Sequence, residues 1–294
     1  SLLLAIESLR NGVTTICDDF FDPPTHDLSR LTTVFKAYED AGIRANVSSA
    51  AMNIHTLDAL PYAREVMPPA LQEQLDFGPP MSADAYIDYC QSAFSTLHGK
   101  AGRLNFMLAP SAPQRCTADL LQACHELAIK MRVPLHTHVL ETKTQAVTGH
   151  ELYGKSLIAH MDDLGILSRN TTVAHSVWVS PHDIELMGAA KCSVAHNAIS
   201  NQKLGAGIAP IRQLMDAGVT IALGTDGVSS NDTARIFDVM RVAGLIHSVS
   251  GPDYKQWIYA DEILKMATIN GARSALLEDI TGSLEIGKAA DLLI

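Results

Sequence analysis

A chain of 294 residues with 47% hydrophobic and 18% charged side chains can bury one large core, and that balance excludes a disordered or fibrous polymer. With 22 basic against 32 acidic residues the formal charge is −10, which would repel a phosphate backbone and argues against nucleic acid as a partner. No apolar run approaches the roughly 18 residues needed to span a bilayer. The five cysteines are widely spaced, form no CxxC pair and read as reduced, mostly buried thiols, which points to a cytoplasmic address.

In chain order, an amphipathic run at 2–10 is followed by seven short apolar or β-branched runs that predict strands, at 13–18, 43–49, 104–109, 133–140, 171–176, 192–196 and 219–224. Segments with helical periodicity fall between them, for example 27–41, 83–97, 117–131, 181–190 and 208–217. Gly12, Gly42 and Gly218 each stand where a helix end turns directly into a strand. Neither end of the sequence has the look of a natural terminus: it opens without Met and stops in the apolar stretch 291–294.

Strict alternation of strands and helices admits an open doubly wound sheet or a closed barrel. An open sheet concentrates its chemistry at one switch point, whereas a barrel distributes it over the C-terminal ends of several strands. Here four consecutive strands end in polar side chains: His136 and His138, then His175, then His196, then Thr225 and Asp226. The segment after the first strand, Asp19-Phe20-Phe21-Asp22-Pro23, has none of the glycines of a dinucleotide-binding turn. The barrel is therefore favoured. His138 shares a face with His136, and Glu141 follows three residues later at the strand mouth. An imidazole beside a carboxylate suits a divalent metal and a proton shuttle. His136 by itself reads equally as a hydrogen-bonded core residue, and Asp226 also reads as a turn-former before Gly227. The string Gly149 to Ser156 satisfies the P-loop pattern letter for letter, but a helix-like segment precedes it where a P-loop needs a strand.

Four motifs in order carry a resemblance: His138-x-x-Glu141, Ala174-His175, His196-x-x-x-Ser200-Asn201-x-x-Leu204, and Gly224-Thr225-Asp226-Gly227-x-x-Ser230-Asn231. With the tail Ala267-Thr268-x-Asn270-Gly271-Ala272 and Gly282-Ser283-Leu284, they make the chain similar to the amidohydrolase superfamily, in its cytosine/guanine deaminase, methylthioadenosine deaminase and triazine hydrolase group. The resemblance implies an α/β fold, a (β/α)8 TIM barrel over residues 1–280 whose visible strands are the second to the eighth, then a return at 281–294 toward a small β-sandwich. It implies one divalent metal, Zn2+ or Fe2+, held by His138 and Asp226 together with a His-x-His pair on a first strand expected upstream of Ser1, and a chain that binds metal poorly without that pair.

The chemistry so implied is hydrolytic deamination of an amino-substituted purine, pyrimidine, pterin or triazine by metal-activated water. Asp226 would be the base, Glu141 the proton carrier to a ring nitrogen, and His175 the group that positions water and stabilises the oxyanion. Substrate contacts carried over in the same way are Ser111, Gln114, Arg115, His196, Asn201 and Ser230. Ser111 stands where related nucleoside deaminases have a histidine, so a ribose contact is open and Gln114 or Arg115 could read an oxo or anionic substituent. Expulsion of chloride, an alkylamine or an amide nitrogen is the alternative chemistry, and a truncated barrel with only a binding role is the alternative of another class. The partners expected are a small heterocycle and water, with a homo-oligomer left open.

Overall fold

The computed structural model describes residues 1–23, 26–76 and 80–293. Among the described residues seven strands form, each within a few residues of its predicted place: β1 Thr15–Phe20, β2 Arg44–Ser49, β3 Leu104–Phe106, β4 Leu135–Val139, β5 Thr171–His175, β6 Ser193–His196 and β7 Thr220–Leu223. The ladders between these strands are all parallel. β1, β2 and β3 make one ladder and β4 to β7 a second, and a parallel bridge between Leu108 and Leu135 joins them. The spatial order therefore follows the chain order without the reversal that defines a doubly wound sheet.

The sheet is also strongly curled. Strands lie about 4.8 Å apart, so β1 and β4 in a flat sheet would be separated by about 14 Å. Instead, donor atoms of Asp19 on β1 and of His136 and His138 on β4 all lie within 4.8 Å of one another. Helical and terminal segments bring the two ends of the arc together as well. The Ala234 amide donates to Glu7 Oε1 at 3.4 Å, and Phe237 and Leu293 lie over Gly12. Among the described residues β1 pairs only with β2, and β7 only with β6.

Alternation along β4 shows how the layers divide. Leu135, Thr137 and Val139 are buried against the helices, whereas His136 and His138 face the interior and are only partly covered. The helix layer supplies the other half of the core. Leu31, Val34, Phe35 and Tyr38 of helix Leu28–Ala41 are buried, as are Leu120, Leu121 and Cys124 of helix Ala118–Met131. Both helices belong to one apolar cluster with Val47, Phe106 and Val194 from the strands.

Where the boundaries differ from expectation, backbone chemistry explains the shift. Val13 donates to Ser8 O at 2.9 Å and so belongs to the helix cap, which delays β1 to Thr15. Pro134 has no N–H, and β4 begins one residue later. Pro210 similarly defers the next helix to Ile211–Asp216. Gly12, Gly42 and Gly218 take φ of 84°, 84° and 86°, as the helix-to-strand turns require. Gly149 lies inside helix Lys143–Tyr153, and Ser156 caps the next helix, so the P-loop string is not a phosphate loop. Residues 281–293 contain no strand where a return strand was expected; Arg44 holds this stretch through Asp291 Oδ2 at 2.8 Å. Four cysteines are buried, and Cys17 is exposed. Among the described residues no helix is long and apolar enough to cross a membrane.

Phe106 is fully buried at the junction of sheet and helices. Phe106→Ala is expected to cost about 3–5 kcal/mol, read as a shift of the midpoint in chemical denaturation at unchanged slope.

Candidate active site and metal centre

The four strand-end groups do converge. β4 places His138 so that its backbone N–H and its ring Nδ1–H both donate to the Ser111 carbonyl, at 2.9 and 2.8 Å. With Nδ1 so committed, Nε2 carries the lone pair that faces the interior. The His138 and His175 rings lie 5.7 Å apart between centroids. His175, at the end of β5, donates from Nδ1 to Asn201 Oδ1 at 2.9 Å. Its Nε2 is 4.0 Å from Glu141 Oε2 and 4.0 Å from Asp226 Oδ2. A separation of that size is one that a water or a substrate nitrogen bridges.

Asp226 is bound on both oxygens. Ser200 Oγ donates to Oδ2 at 2.5 Å, and the Gly227 amide donates to Oδ1 at 2.6 Å. Burial raises its pKa, but the Ser200 hydroxyl, the Gly227 amide, His175 and Ser230 outweigh burial and hold the carboxyl below its ordinary value. The chain at this rim is strained: Leu140, His175, Ser176 and Asp226 have φ of 53°, 73°, 49° and 62°. Non-glycine residues in the left-handed region are uncommon and gather at functional sites. Gly224, just before Asp226, admits the Asn197 side chain so closely that a Cβ would fall 2.2 Å from Asn197 Oδ1.

His136 joins His138 edge to face, with centroids 5.3 Å apart, and Asp19 completes a cluster with both. Burial, then the neighbouring His138 and His175, push the His136 pKa down to about 3, so this ring is neutral. Asp19 accepts from Ser48 Oγ at 2.7 Å. The donor chemistry, imidazole nitrogens with carboxylate oxygens, fits a Zn2+ or Fe2+ ion.

Other expected contacts have structural duties. Asn201 orients His175, and Ser230 Oγ donates to Gly227 O at 3.0 Å. Ser111 and Gln114 are buried, while Arg115 is exposed and reaches Ser111 Oγ at 3.4 Å. His196 is buried against His247, with 3.1 Å between their Nε2 atoms, and its Nδ1 has no hydrogen-bond partner among the described residues. A cavity of about 290 Å3 lies off this cluster, lined by His150, Lys155, Trp178 and Asp183. It borders the site only through Leu140, and the convergence of titratable groups is the better guide to chemistry. Sequence reasoning missed Asp19, Ser200 as the partner of Asp226, and His247. Asp19 alone carried a signal, an acidic residue at a strand end like Asp226.

The chain is thus an α/β arc of sequentially paired parallel strands that gathers histidines and acids at one rim. The sequence pattern of the Amidohydrolase family matches residues 2–294, and the chain belongs to that family. It is 35% identical over 295 residues to a 5-methylthioadenosine/S-adenosylhomocysteine deaminase of Thermoanaerobacter pseudethanolicus, covering 100% of this chain and 61% of the relative. It is 32% identical over 294 residues to a 5'-deoxyadenosine deaminase of Methanosarcina acetivorans, covering 100% and 60%. Among solved structures, a zinc complex of atrazine chlorohydrolase from Arthrobacter aurescens superposes with a TM-score of 0.86 at 28% identity, over 98% of this chain and 61% of that one. An adenosine deaminase from Xanthomonas campestris with bound zinc gives 0.81 at 26%, over 98% and 59%. The chain thus spans about three fifths of the relatives it matches.

Burial and the neighbouring His247 and His175 lower the His196 pKa to about 3, and burial with Arg212 lowers that of His247 to about 4. An unfolded histidine binds a proton near pH 6.5, so the unfolded state takes up more protons as pH falls below that value. Stability contributed by the neutral pair is complete above about pH 6.5 and is lost as pH falls toward 4. Thermal melting followed from pH 7.5 to 5 is expected to fall steeply for the wild type and less for His247→Gln.

Proposed function

We propose that this protein hydrolytically deaminates an amino-substituted heterocycle, with an adenine nucleoside derivative as the first substrate to test. The observation that carries the reading is the placement of Glu141 and Asp226 each 4.0 Å from His175 Nε2, with the His138 ring 5.7 Å from that of His175. The names of the curated relatives, deaminases of methylthioadenosine and 5'-deoxyadenosine, support the choice of substrate class. In this reading the sheet is a barrel whose open β1 and β7 edges take up a further strand bearing two more metal ligands. The five free thiols favour a cytoplasmic setting.

His138 Nε2 and the Asp226 carboxylate are the groups we assign to a divalent metal, Zn2+ by ligand type. When bound, such an ion supplies a nucleophilic water at neutral pH and polarises the carbon under attack. The protein's own groups do the rest. Asp226, kept ionised by Ser200, Gly227 and His175, accepts the proton of the attacking water. Glu141 carries a proton to the ring nitrogen next to the carbon that bears the amino group. His175, held by Asn201, orients the water and hydrogen-bonds the oxygen as charge builds on it. The proton held on Asp226 then passes to the amine, the C–N bond breaks and ammonia leaves, and the hydroxyl remaining on that carbon returns its proton to Glu141 as the carbonyl forms. Ser111, Gln114 and Arg115 line the approach after β3, with His196, Asn201 and Ser230 behind the reacting groups.

Zinc-supplemented protein is expected to release ammonia from 5'-deoxyadenosine or 5'-methylthioadenosine, with loss of the adenine absorbance. Asp226→Asn and Glu141→Gln should each lower kcat/KM by at least about 100-fold. Chloride or alkylamine release from a triazine without ammonia from any aminopurine would overturn the deaminase reading. Because the Asp226 pKa is depressed, the acid limb of kcat/KM should fall below the ordinary aspartate range, and Ser200→Ala should move it upward.

A further inference from the structure

We propose that Gln145 is a positioning residue for Glu141, holding the proton carrier in its place beside His175 through the backbone amide of Glu141. The inference rests on the proton-carrying role given to Glu141 above and adds the group that fixes it.

Thr142-Lys143-Thr144-Gln145, at the first turn of helix Lys143–Tyr153, has the sequence of a capping box. In such a box the first hydroxyl accepts the amide three residues on, and the last side chain reaches back to the amide of the first residue. The first half forms, since Thr142 Oγ1 accepts the Gln145 N–H at 3.3 Å. The second half lands one residue earlier. Gln145 Oε1 accepts the N–H of Glu141 at 2.7 Å, and the glutamine side chain that makes this bond is buried. Burying a glutamine costs rotamer freedom and hydration, and what it secures here is the backbone of the residue that carries the proton.

The opposite end of the same peptide is held as well. The Leu140 carbonyl accepts from the amides of Val177 and Trp178 at 3.0 and 2.9 Å, and Leu140 itself takes a φ of 53°. A peptide group is planar, so a hold on both its C=O and its N–H fixes the plane from which the Glu141 side chain departs. Val177 and Trp178 stand just past His175 in the chain, and their loop closes the circle. The Trp178 indole N–H donates to Ala206 O at 2.8 Å, the Ala206 amide donates to Asn201 O at 2.8 Å, and Asn201 Oδ1 accepts from His175 Nδ1 at 2.9 Å. Glu141 and His175 are thus tied into one hydrogen-bonded circuit, which sets the 4.0 Å between Oε2 and Nε2. Packing does not hold the turn by itself, because the cavity of about 290 Å3 opens against Leu140, Ala146 and Trp178. Without the Gln145 oxygen the Leu140–Glu141 peptide would swing about its carbonyl anchor, and a misplacement of about 1 Å costs up to about 100-fold in rate.

The test compares Gln145→Met, which keeps the length of the side chain and removes the acceptor, with Gln145→Glu, which keeps the acceptor, and Thr142→Ala, which removes only the helix cap. Hydrogen exchange at the Glu141 amide is followed by NMR, and kcat and KM by ammonia release from 5'-deoxyadenosine. Gln145→Met is expected to speed exchange at that amide at least about tenfold and to lower kcat about ten- to 100-fold, with KM within about twofold of wild type. Gln145→Glu should retain the protection and recover kcat to within about fivefold of wild type. Thr142→Ala should lower the melting temperature and leave both the exchange rate and kcat near wild type. A purely structural cap would make Thr142→Ala and Gln145→Met behave alike, and that outcome would overturn the proposal. So would an unchanged kcat in Gln145→Met or, whether or not the variants fold, free exchange of the Glu141 amide in the wild type. Loss of kcat in Glu141→Gln with none in Gln145→Met would remove the positioning role and keep the deaminase. An exchange rate at Glu141 set by Gln145, in a protein that releases no ammonia from any aminopurine, would keep the hold on Glu141 and remove the deaminase.

Discussion

Curling of a sequentially paired parallel sheet is the constraint on which the rest of this structure depends. Each strand ends at the same rim because each is parallel to its neighbour, and side chains from β1 and β4 meet because the arc bends rather than lies flat. A flat sheet with the same residues would leave Asp19, His138 and Asp226 as unrelated polar groups at the mouths of separate strands. The helices Leu28–Ala41 and Ala118–Met131 enforce the bend by covering the outer face with buried aliphatic and aromatic side chains. Packing energy is thereby converted into convergence of charge.

Within the rim, chemistry is set by which nitrogen or oxygen each side chain has left over. His138 has given Nδ1 to a backbone carbonyl and His175 has given Nδ1 to an asparagine, so both present Nε2 inward. Asp226 has both oxygens hydrogen-bonded and is held ionised in surroundings that would otherwise neutralise it. His196 and His247 go the other way: burial keeps them uncharged, and their mutual contact makes them part of the scaffold. A single interior thus contains one carboxylate, Asp226, kept charged beside histidines, His196 and His247, kept neutral.

The alternation of strands and helices was legible in the sequence because parallel strands buried on both faces leave short apolar runs between glycine-marked turns. So was the rim set His138, Glu141, His175 and Asp226, since each lies at or just past the end of a strand. The strand boundaries were less legible, because Pro134 and the Val13-to-Ser8 bond act through backbone donors that composition does not reveal. Partners were the least legible. Nothing local ties His247 to His196, 51 residues away, or Asp19 to His136 on a strand three places round the arc. Asn201 and Ser230 were legible as motif residues, but their hydrogen bonds to His175 and Gly227 emerge only once the loops are folded.

The left-handed backbone at Leu140, His175, Ser176 and Asp226 carries an implication for how such a rim can change over time. Side chains branched at Cβ are poorly tolerated there, so valine, isoleucine and threonine are disfavoured for steric reasons independent of reactivity. Variation at the mouth is consequently channelled into the longer loops beyond β2 and β3, where Met52, Ile54 and Arg115 line a small cleft and none of the three has a left-handed backbone. The geometry that anchors the reacting groups thereby leaves ligand preference free to drift around an unaltered centre.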